Sequence, residues 1–212
     1  MQQLWDISPP VSAQSPVFPG DTPYSRKWNA TIGPHCPVNV SQITLSPHVG
    51  AHADAPLHYS NRGAAIGQLG LEPFLGPCRV IHVLHGRALI AAEDLLPFLD
   101  QAPPRILVRT CAQANVTAWS DDFAAFAPEA IEFLARRGVL LIGLDTPSID
   151  PADSKTLDSH QTILKHDIRV LENLVLDQVA AGDYELIALP LALADADASP
   201  VRAVLRRLPA TY

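Results

Sequence analysis

Short hydrophobic runs recur along the chain and alternate with segments of helical pattern. Runs of strand length, rich in β-branched residues, lie at 40–46, 79–85, 105–110, 139–145, 167–171 and within 184–193. The run VLLIGLD (139–145) has almost no polar face, which predicts a central strand of the sheet.

Helical signals separate several of these runs. PEAIEFLARRG (128–138) predicts a helix, because Pro128 suits a first turn and Gly138 suits a C-terminal cap. A short helix is predicted near SHQTILKH (159–166). The first 40 residues are rich in proline and are expected to form turns. Together the pattern predicts one α/β domain over residues 1–212, built on a mixed sheet.

Composition narrows the function classes. Of 212 residues, 48% are hydrophobic and 17% are charged, as in a globular protein with a large core, and the net charge of -7 disfavours binding to nucleic acid or to an anionic membrane. The longest apolar runs fall short of the roughly 20 residues that a membrane span needs. The start of the chain has neither a basic segment nor an apolar core, so no signal peptide is predicted. The three cysteines, Cys36, Cys78 and Cys111, are odd in number and widely spaced, which favours a cytoplasmic location.

The segment SPHVGAHADAPLH (46–58) concentrates titratable side chains. Its polar residues all have even numbers, and the positions between them are small or apolar; the polar set is His48, His52, Asp54 and His58. A period of two is the strand period, so an extended segment with one polar face is predicted. A helix is disfavoured because it would turn Asp54 about 200° away from His52.

Geometry requires this segment to bend. In a straight strand, His48 and His52 would lie about 13 Å apart, too far to share one ion easily. Gly50 is the residue that permits a bulge or kink between them. Two imidazoles and a carboxylate suit zinc, and three protein ligands leave a coordination position for water. The alternative is a polar strand face whose histidines make ordinary hydrogen bonds, but four such groups on one face favour a metal site.

The motif H-x-G-x-H-x-D-x-P-x-H at 48–58 resembles the signature of the metal-dependent cyclase family and, within it, of the bacterial kynurenine formamidases. The similarity extends over most of the chain, through LWDISPP, FPGDTP, GLDTPSID (143–150), SH (159–160), ENL (172–174) and SPVRAVL (199–205). The resemblance implies a swivelling β/β/α fold, with a mixed, barrel-like sheet core and flanking helices.

The resemblance also implies a ligand set and a reaction. His48, His52 and Asp54 would hold one zinc ion, and Asp54 would bridge to a second ion that His160 and Glu172 complete. From the sequence pattern alone, His160 would be interpreted as a helix residue without a specific function, and Glu172 as the cap of a turn. His58 would transfer protons, as its near-neutral unperturbed pKa allows.

The resemblance implies hydrolysis of the small molecule N-formyl-L-kynurenine to L-kynurenine and formate, and assembly as a homodimer. Two alternatives are a hydrolase of the same family that opens a cyclic amide or lactone, and a metal-binding protein without catalysis. Phe18 stands where the family pattern has tryptophan, and it would stack on the aromatic ring of the substrate with less area and no indole donor. Asp145 and Ser148 follow a buried strand but also fit a plain turn, and His82 and His85 are expected to be structural.

Overall fold

A curled, mixed sheet of nine strands runs through the computed structural model, which describes residues 3–208. The strands are β1 (Leu4–Asp6), β2 (Ser25–Ala30), β3 (Val40–Thr44), β4 (His52–Asp54), β5 (Leu75–His82), β6 (Leu89–Ile90), β7 (Arg105–Arg109), β8 (Ala125–Phe126), β9 (Leu141–Leu144), β10 (Arg169–Glu172), β11 (Gly182–Ile187), β12 (Ala198–Pro200) and β13 (Val204–Arg206). The helices are α1 (Pro56–Tyr59), α2 (Ala92–Leu95), α3 (Pro128–Ala135) and α4 (Asp158–His166), with 3₁₀ turns at Ile66–Gln68, Glu72–Phe74 and Leu96–Phe98.

The order of strands in the large sheet is β1-β13-β11-β5-β7-β9-β10-β4-β12. Strands β5, β7, β9 and β10 run parallel to their neighbours within that group, while β11, β4 and β12 pair antiparallel. The sheet curls into a half-barrel, and the helices flank it. The predicted α/β domain with a mixed, barrel-like sheet core is therefore confirmed.

Alternating side chains of the central strands build two cores, one on each face of the sheet. In β7, Leu107 points into one core, and its neighbours Ile106 and Val108 point into the other. The second core also contains Ile131 from α3 and Ile163 from α4, so these two helices cover that face. This arrangement follows from the strand period of two, because both faces of the central strands are apolar.

The predicted central strand and helices are confirmed. All four residues of β9 are buried, and the strand lies between β7 and β10. A Cβ atom on Gly143 would come within 2.5 Å of the Leu107 side chain, so glycine is required for this close packing. The helix α3 begins at Pro128, and Gly138 adopts a left-handed conformation with φ +75° three residues after its end.

The prediction that 46–58 is an extended segment with a bend at Gly50 is correct for residues 52–54 and for the bend, but wrong for the rest. Strand β4 covers residues 52–54 alone, residues 47–51 form a turn and bends, and residues 56–59 form α1. Pro56 occupies the first turn of that helix, where its missing N–H costs nothing. The predicted bend at Gly50 is confirmed, since its φ is +64°. His58 therefore approaches the other histidines from a helical turn instead of along a strand.

Two further differences concern the pairing and the length of strands. The run at 40–46 is a strand, but β3 pairs with β2 in a separate, exposed two-stranded sheet, and β2 itself was not predicted. Within 184–193, β11 ends at Ile187, which pairs with Leu75 and Val204, the first residues of its two partner strands β5 and β13. No helix within residues 3–208 has both the length and the apolar character needed to cross a bilayer.

Candidate metal centre and active site

His52 and Asp54 lie on β4, in the middle of a three-strand group. In the antiparallel register, β10 places Glu172 directly opposite His52, and on the other side β12 places Ala198 opposite Asp54. The side chains of His52, Asp54 and Glu172 are all at least 96% buried. His52 Nε2 lies 3.3 Å from Glu172 Oε2 and 3.4 Å from Asp54 Oδ1. The sheet register thus brings together residues 120 positions apart in the chain.

Two more histidines reach Asp54 from other elements. His48, in the turn before Gly50, places Nδ1 at 3.0 Å from Asp54 Oδ1. His160, on the first turn of α4, places Nε2 at 3.3 Å from Asp54 Oδ2 and 3.8 Å from Glu172 Oε1. The two carboxylate oxygens of Asp54 therefore face different histidines, as a bridging ligand requires.

The spacing and burial of these atoms fit a divalent cation. Tetrahedral ligands at about 2.0–2.1 Å from zinc lie about 3.3–3.4 Å from one another. The contacts of His52 Nε2 with Asp54 and Glu172 have this spacing. Both His52 Nε2 and Asp54 Oδ1 are fully buried, and neither makes a hydrogen bond of acceptable geometry to residues 3–208. Buried polar atoms without partners are costly, and a shared cation would satisfy both.

Within residues 3–208, three groups of side chains have all their ligand atoms within 4.8 Å of one another: His48, His52 and Asp54; Asp54, His58 and His160; and His48, His58 and Asp197. The first group is the predicted ligand set of one ion. The second group contains Asp54 and His160 as expected, with His58 in the place expected for Glu172. Glu172 instead lies nearest to His52.

Hydrogen bonds from neighbouring groups orient these side chains, and of the residues that make them the sequence interpretation identified Gly50 but missed Asp150 and Ile149. Asp150 Oδ2 contacts His160 Nδ1 at 2.6 Å and also accepts the backbone N–H of His160. The carbonyl of Gly50 lies 2.9 Å from His52 Nδ1, and Glu172 Oε1 accepts the N–H of Ile149 at 2.7 Å. These contacts leave Nε2 of both histidines directed at the carboxylates. Asp150 belongs to GLDTPSID, a segment in which the sequence indicated a family pattern but no role for this residue.

The pKa values of these side chains reflect the crowding of charge in the cluster. Burial lowers the pKa of His48, but Asp54 and Asp197 outweigh it and raise that pKa to about 9. Burial likewise opposes protonation of His160, yet Asp150 and Asp54 raise its pKa to about 10. Despite its burial, Asp54 has a pKa well below the ordinary value, because His160, His48 and His52 surround its carboxylate. A positive charge is thus strongly favoured in this pocket.

His58 differs from the other histidines of the motif. Burial, the largest influence, lowers its pKa, and the imidazole remains one-third exposed to the cleft. Its Nδ1 lies 3.5 Å from Asp197 Oδ2, and the same oxygen lies 2.9 Å from His48 Nε2. Asp197, which the sequence interpretation missed, immediately precedes β12. Nothing in its own sequence context, ADADASP, distinguishes it from a surface aspartate.

A cleft of about 930 Å³ opens above the histidines. Phe18 lies on its wall and is half exposed. The ring of Trp119 meets Phe18 edge to face at 5.2 Å, and Phe123 lies 6.4 Å beyond Trp119. Trp119 Nε1 donates to Asp121 Oδ1 at 2.7 Å, which holds the indole in place. The sequence interpretation identified Phe18 but missed this aromatic partner, which comes from a loop 100 residues later.

The less favoured candidates have mainly structural contacts. Asp145, which follows β9, accepts hydrogen bonds from Thr110 and Cys111, which follow β7. Asp145 also lines the cleft. His82 Nε2 contacts the carbonyl of Val179 at 2.9 Å, and His85 Nε2 lies 3.1 Å from Asp94. Ser148 Oγ accepts the N–H of Asp150. These contacts agree with a structural role for His82 and His85.

Comparison with known proteins places this chain in a family. The Cyclase family model matches residues 5–151. A kynurenine formamidase from Bordetella petrii is 70% identical over 208 residues, which cover 98% of this chain and 100% of that protein. A kynurenine formamidase from Bordetella avium is 68% identical with the same coverage. A solved structure described as a potential metal-dependent hydrolase with cyclase activity has a TM-score of 0.85 and 27% identity, and the match covers 99% of this chain and 100% of that one.

Proposed function

The chain belongs to the Cyclase family, and on this premise we propose that it hydrolyses N-formyl-L-kynurenine to L-kynurenine and formate in tryptophan degradation. The observation that carries the proposal is 70% identity, over 98% of this chain and 100% of the relative, to a protein named kynurenine formamidase. The buried cluster of histidines and carboxylates beneath a large cleft supports a hydrolytic reaction at that position.

The residues of the cluster fit zinc, and we propose two ions per subunit. The proposed ligands are His48, His52, Asp54, His160 and Glu172, with Asp54 as the bridge. When bound, zinc polarises a carbonyl group and lowers the pKa of water to about 7. The orphaned atoms of His52 and Asp54 support the first position. For the second position, His58 is a competing ligand, because it joins Asp54 and His160 in one compact group.

His58 is proposed to move the proton that the reaction requires. Its Nδ1 faces Asp197, so its Nε2 is the nitrogen left to exchange a proton with the substrate. Water adds to the formyl carbon and gives up a proton to His58, and the carbon–nitrogen bond then breaks. His58 returns the proton to the departing aniline nitrogen, because an anilide anion is a poor leaving group. The lowered pKa of His58 favours a neutral imidazole that can accept a proton near pH 7.

The aromatic wall of the cleft is proposed to bind the substrate ring. Phe18 offers an apolar face that is half exposed, and Trp119 packs against its edge. Trp119 lies beside the position where the family pattern has tryptophan, so it can supply the indole surface that Phe18 lacks. Phe18 and Trp119 come from two different loops, and both line the cleft that contains the histidines.

We further propose that residues 1–212 form one domain that assembles as a homodimer in the cytoplasm. The small sheet of β2 and β3 supports an interface between copies, because Trp28, Val40 and Ile43 are each about half exposed on it. Cys36, Cys78 and Cys111 form no disulfide within residues 3–208, which supports a reducing compartment. Light scattering of the wild type and of an Ile43→Asp variant tests the interface, and a monomeric wild type would contradict it.

Formate release by the purified, metal-replete protein tests the activity. We expect release from N-formyl-L-kynurenine with a kcat/KM at least tenfold above that for formanilide, and no opening of cyclic amides or lactones. Faster opening of a ring substrate would assign the protein to the alternative hydrolase function. Absence of turnover with every substrate at full metal occupancy would favour a metal-binding protein without catalysis. Metal analysis of the same sample identifies the ion and its stoichiometry.

A further inference from the structure

The lining of the cleft is strongly acidic. Asp21, Asp122, Asp145, Asp197 and Glu172 all line it. Among the described residues that line the cleft, Arg87 is the one lysine or arginine. Glu172 is a proposed metal ligand and Asp197 contacts His48 and His58, so their charges are compensated. Elsewhere in the cleft, a carboxylate group of the substrate would be repelled by Asp21, Asp122 and Asp145 unless a cation paired with it.

Hydrogen bonds that involve His85 hold the backbone at Arg87 in place, in the loop between β5 and β6. Gly86 has a left-handed φ of +71°, and the N–H of Arg87 donates to His85 Nδ1 at 3.0 Å. His85 Nε2 in turn lies 3.1 Å from Asp94 Oδ2. Because Nδ1 of His85 accepts a hydrogen bond, its Nε2 carries a proton and donates to Asp94. The imidazole therefore ties the Arg87 backbone to the buried carboxylate of Asp94.

One nitrogen of the Arg87 guanidinium group is paired, and its other donors are available to a ligand. Its Nη2 pairs with Asp94 Oδ1, while Asp94 Oδ2 also accepts the N–H of Ala91. Arg87 Nε and Nη1 make no hydrogen bond to residues 3–208, and the side chain is 55% exposed. An arginine held on one edge, with free donors on the other, is suited to bind a carboxylate group.

We propose that Arg87 binds the α-carboxylate of the substrate and selects aryl formamides that carry an amino-acid end. This inference rests on the proposed function, because the formamide must reach the histidines while the carboxylate reaches Arg87. Arg87 would act mainly on substrate affinity, since the carboxylate is unchanged by the reaction. It therefore contributes equally to the ground state and to the transition state.

Two substitutions and two ligand pairs test this role in the metal-replete enzyme. Arg87→Met should raise the KM for N-formyl-L-kynurenine by about tenfold and leave kcat within about twofold. Arg87→Lys should fall between the wild type and Arg87→Met, because it keeps the charge and loses the planar fork. Neither variant should change turnover of 2-formamidoacetophenone, which has the same ring, ketone and formamide but no carboxylate.

Calorimetry with the amine products gives a readout that does not depend on turnover. Arg87→Met should weaken binding of L-kynurenine by about tenfold and leave binding of 2-aminoacetophenone unchanged. Arg202→Met is the matched control, because Arg202 also pairs with an aspartate, Asp6, but does not line the cleft. Its kinetics and binding should equal those of the wild type.

A carboxylate-binding role and a purely structural role of Arg87 give different results. Equal losses for ligands with and without the carboxylate, or a lower Tm without any ligand preference, would show that Arg87 is only structural and overturn the inference. Unchanged binding of L-kynurenine in Arg87→Met would overturn it as well. A wild type that releases formate from neither formamide would overturn the proposed function first, and the carboxylate subsite with it.

Discussion

His52 and Glu172 occupy directly opposed positions on β4 and β10, and His52 Nε2 lies 3.3 Å from Glu172 Oε2. Both side chains are almost completely buried. Because Oε1 of Glu172 accepts the N–H of Ile149, Oε2 is the oxygen that faces the imidazole. This cross-strand pair is part of the cluster, and the other proposed ligands lie around it.

The central carboxylate should be required for metal binding. We expect Asp54→Asn to lower bound metal from two ions to one or fewer per subunit and to reduce kcat at least a hundredfold, because the bridging charge is lost. Metal analysis and formate release measure the two effects. Asp6→Asn, which removes an exposed aspartate that pairs with Arg202, should leave both unchanged. Full metal content in Asp54→Asn would contradict the proposed bridge.

Metal affinity should increase with pH. In the metal-free protein the pKa values of His48 and His160 are raised to about 9 and about 10, so both imidazoles carry protons at neutral pH. Metal binding must displace these protons, and the apparent affinity should rise by about one to two log units per pH unit between pH 7 and 9. Competition with a chelator of known affinity measures this slope. A slope near zero would contradict the protonated state of the metal-free site.

Removal of metal should also change how stability depends on pH. A histidine whose pKa is raised on folding stabilises the protein below its unfolded pKa, about 6.5, and this stabilisation disappears as pH rises through the folded value. The chelated protein should therefore lose Tm between about pH 6.5 and 10, through His48 and His160. The metal-loaded protein should not show this loss. If Tm depended on pH in the same way in the chelated and metal-loaded proteins, the prediction would be contradicted.

His58 should be needed for turnover more than for metal binding. His58→Ala is expected to reduce kcat by about a hundredfold to ten-thousandfold, because the aniline leaving group loses its proton donor. Metal content should fall by less than in Asp54→Asn, and an activated formate ester, which needs no protonated leaving group, should be hydrolysed with a smaller loss. His35→Ala, a substitution at an exposed histidine outside the cleft, serves as the control. Turnover of N-formyl-L-kynurenine at the wild-type rate would rule out the proton role.

The aromatic wall should set affinity for the substrate ring. Trp119→Ala should raise the KM for N-formyl-L-kynurenine by about threefold to tenfold, with a smaller change in kcat, because the ring loses an aromatic contact and Phe18 loses its support. Phe18→Trp should lower KM. Phe98→Ala removes an exposed aromatic residue outside the cleft and should have no effect on KM. If Phe98→Ala and Trp119→Ala behave alike, the wall has no role in binding.

An ion pair between helices should stabilise the fold in a defined pH range. Glu132 on α3 accepts from Lys165 Nζ at 2.6 Å and from His166 Nε2 at 2.8 Å, and these contacts lower its pKa to about 2. A carboxyl group with a lowered pKa stabilises the protein above its unfolded pKa, near 4.5, and this effect is lost between about pH 4.5 and 2. Glu132→Gln should lower Tm by about 1–3 °C at neutral pH, and the difference should shrink below pH 4.5. Glu129→Gln, which removes a carboxylate from the same helix and keeps the ion pair intact, serves as the control.

The sequence by itself determined the elements with strong local signals. The buried run at 139–145, the helix from Pro128 and the bend at Gly50 are recognisable because hydrophobic periodicity, proline and glycine act over a few residues. The grouping of His48, His52 and Asp54 was also predictable, since these residues lie within seven positions of one another. The pairing of Asp54 with His160 and Glu172 came from family resemblance, because no local pattern links positions more than 100 residues apart.

Tertiary structure alone decided which distant residues complete the site. Asp197 meets His48 and His58 because β12 pairs with β4, and Asp150 meets His160 because the loop after β9 packs on α4. Trp119 and Arg87 enter the cleft from separate loops. Such contacts depend on the order and register of the strands. Order and register are set by packing on both buried faces of the sheet, to which residues from the whole chain contribute. Short-range sequence patterns determine the elements, but only the folded sheet determines which of their ends meet.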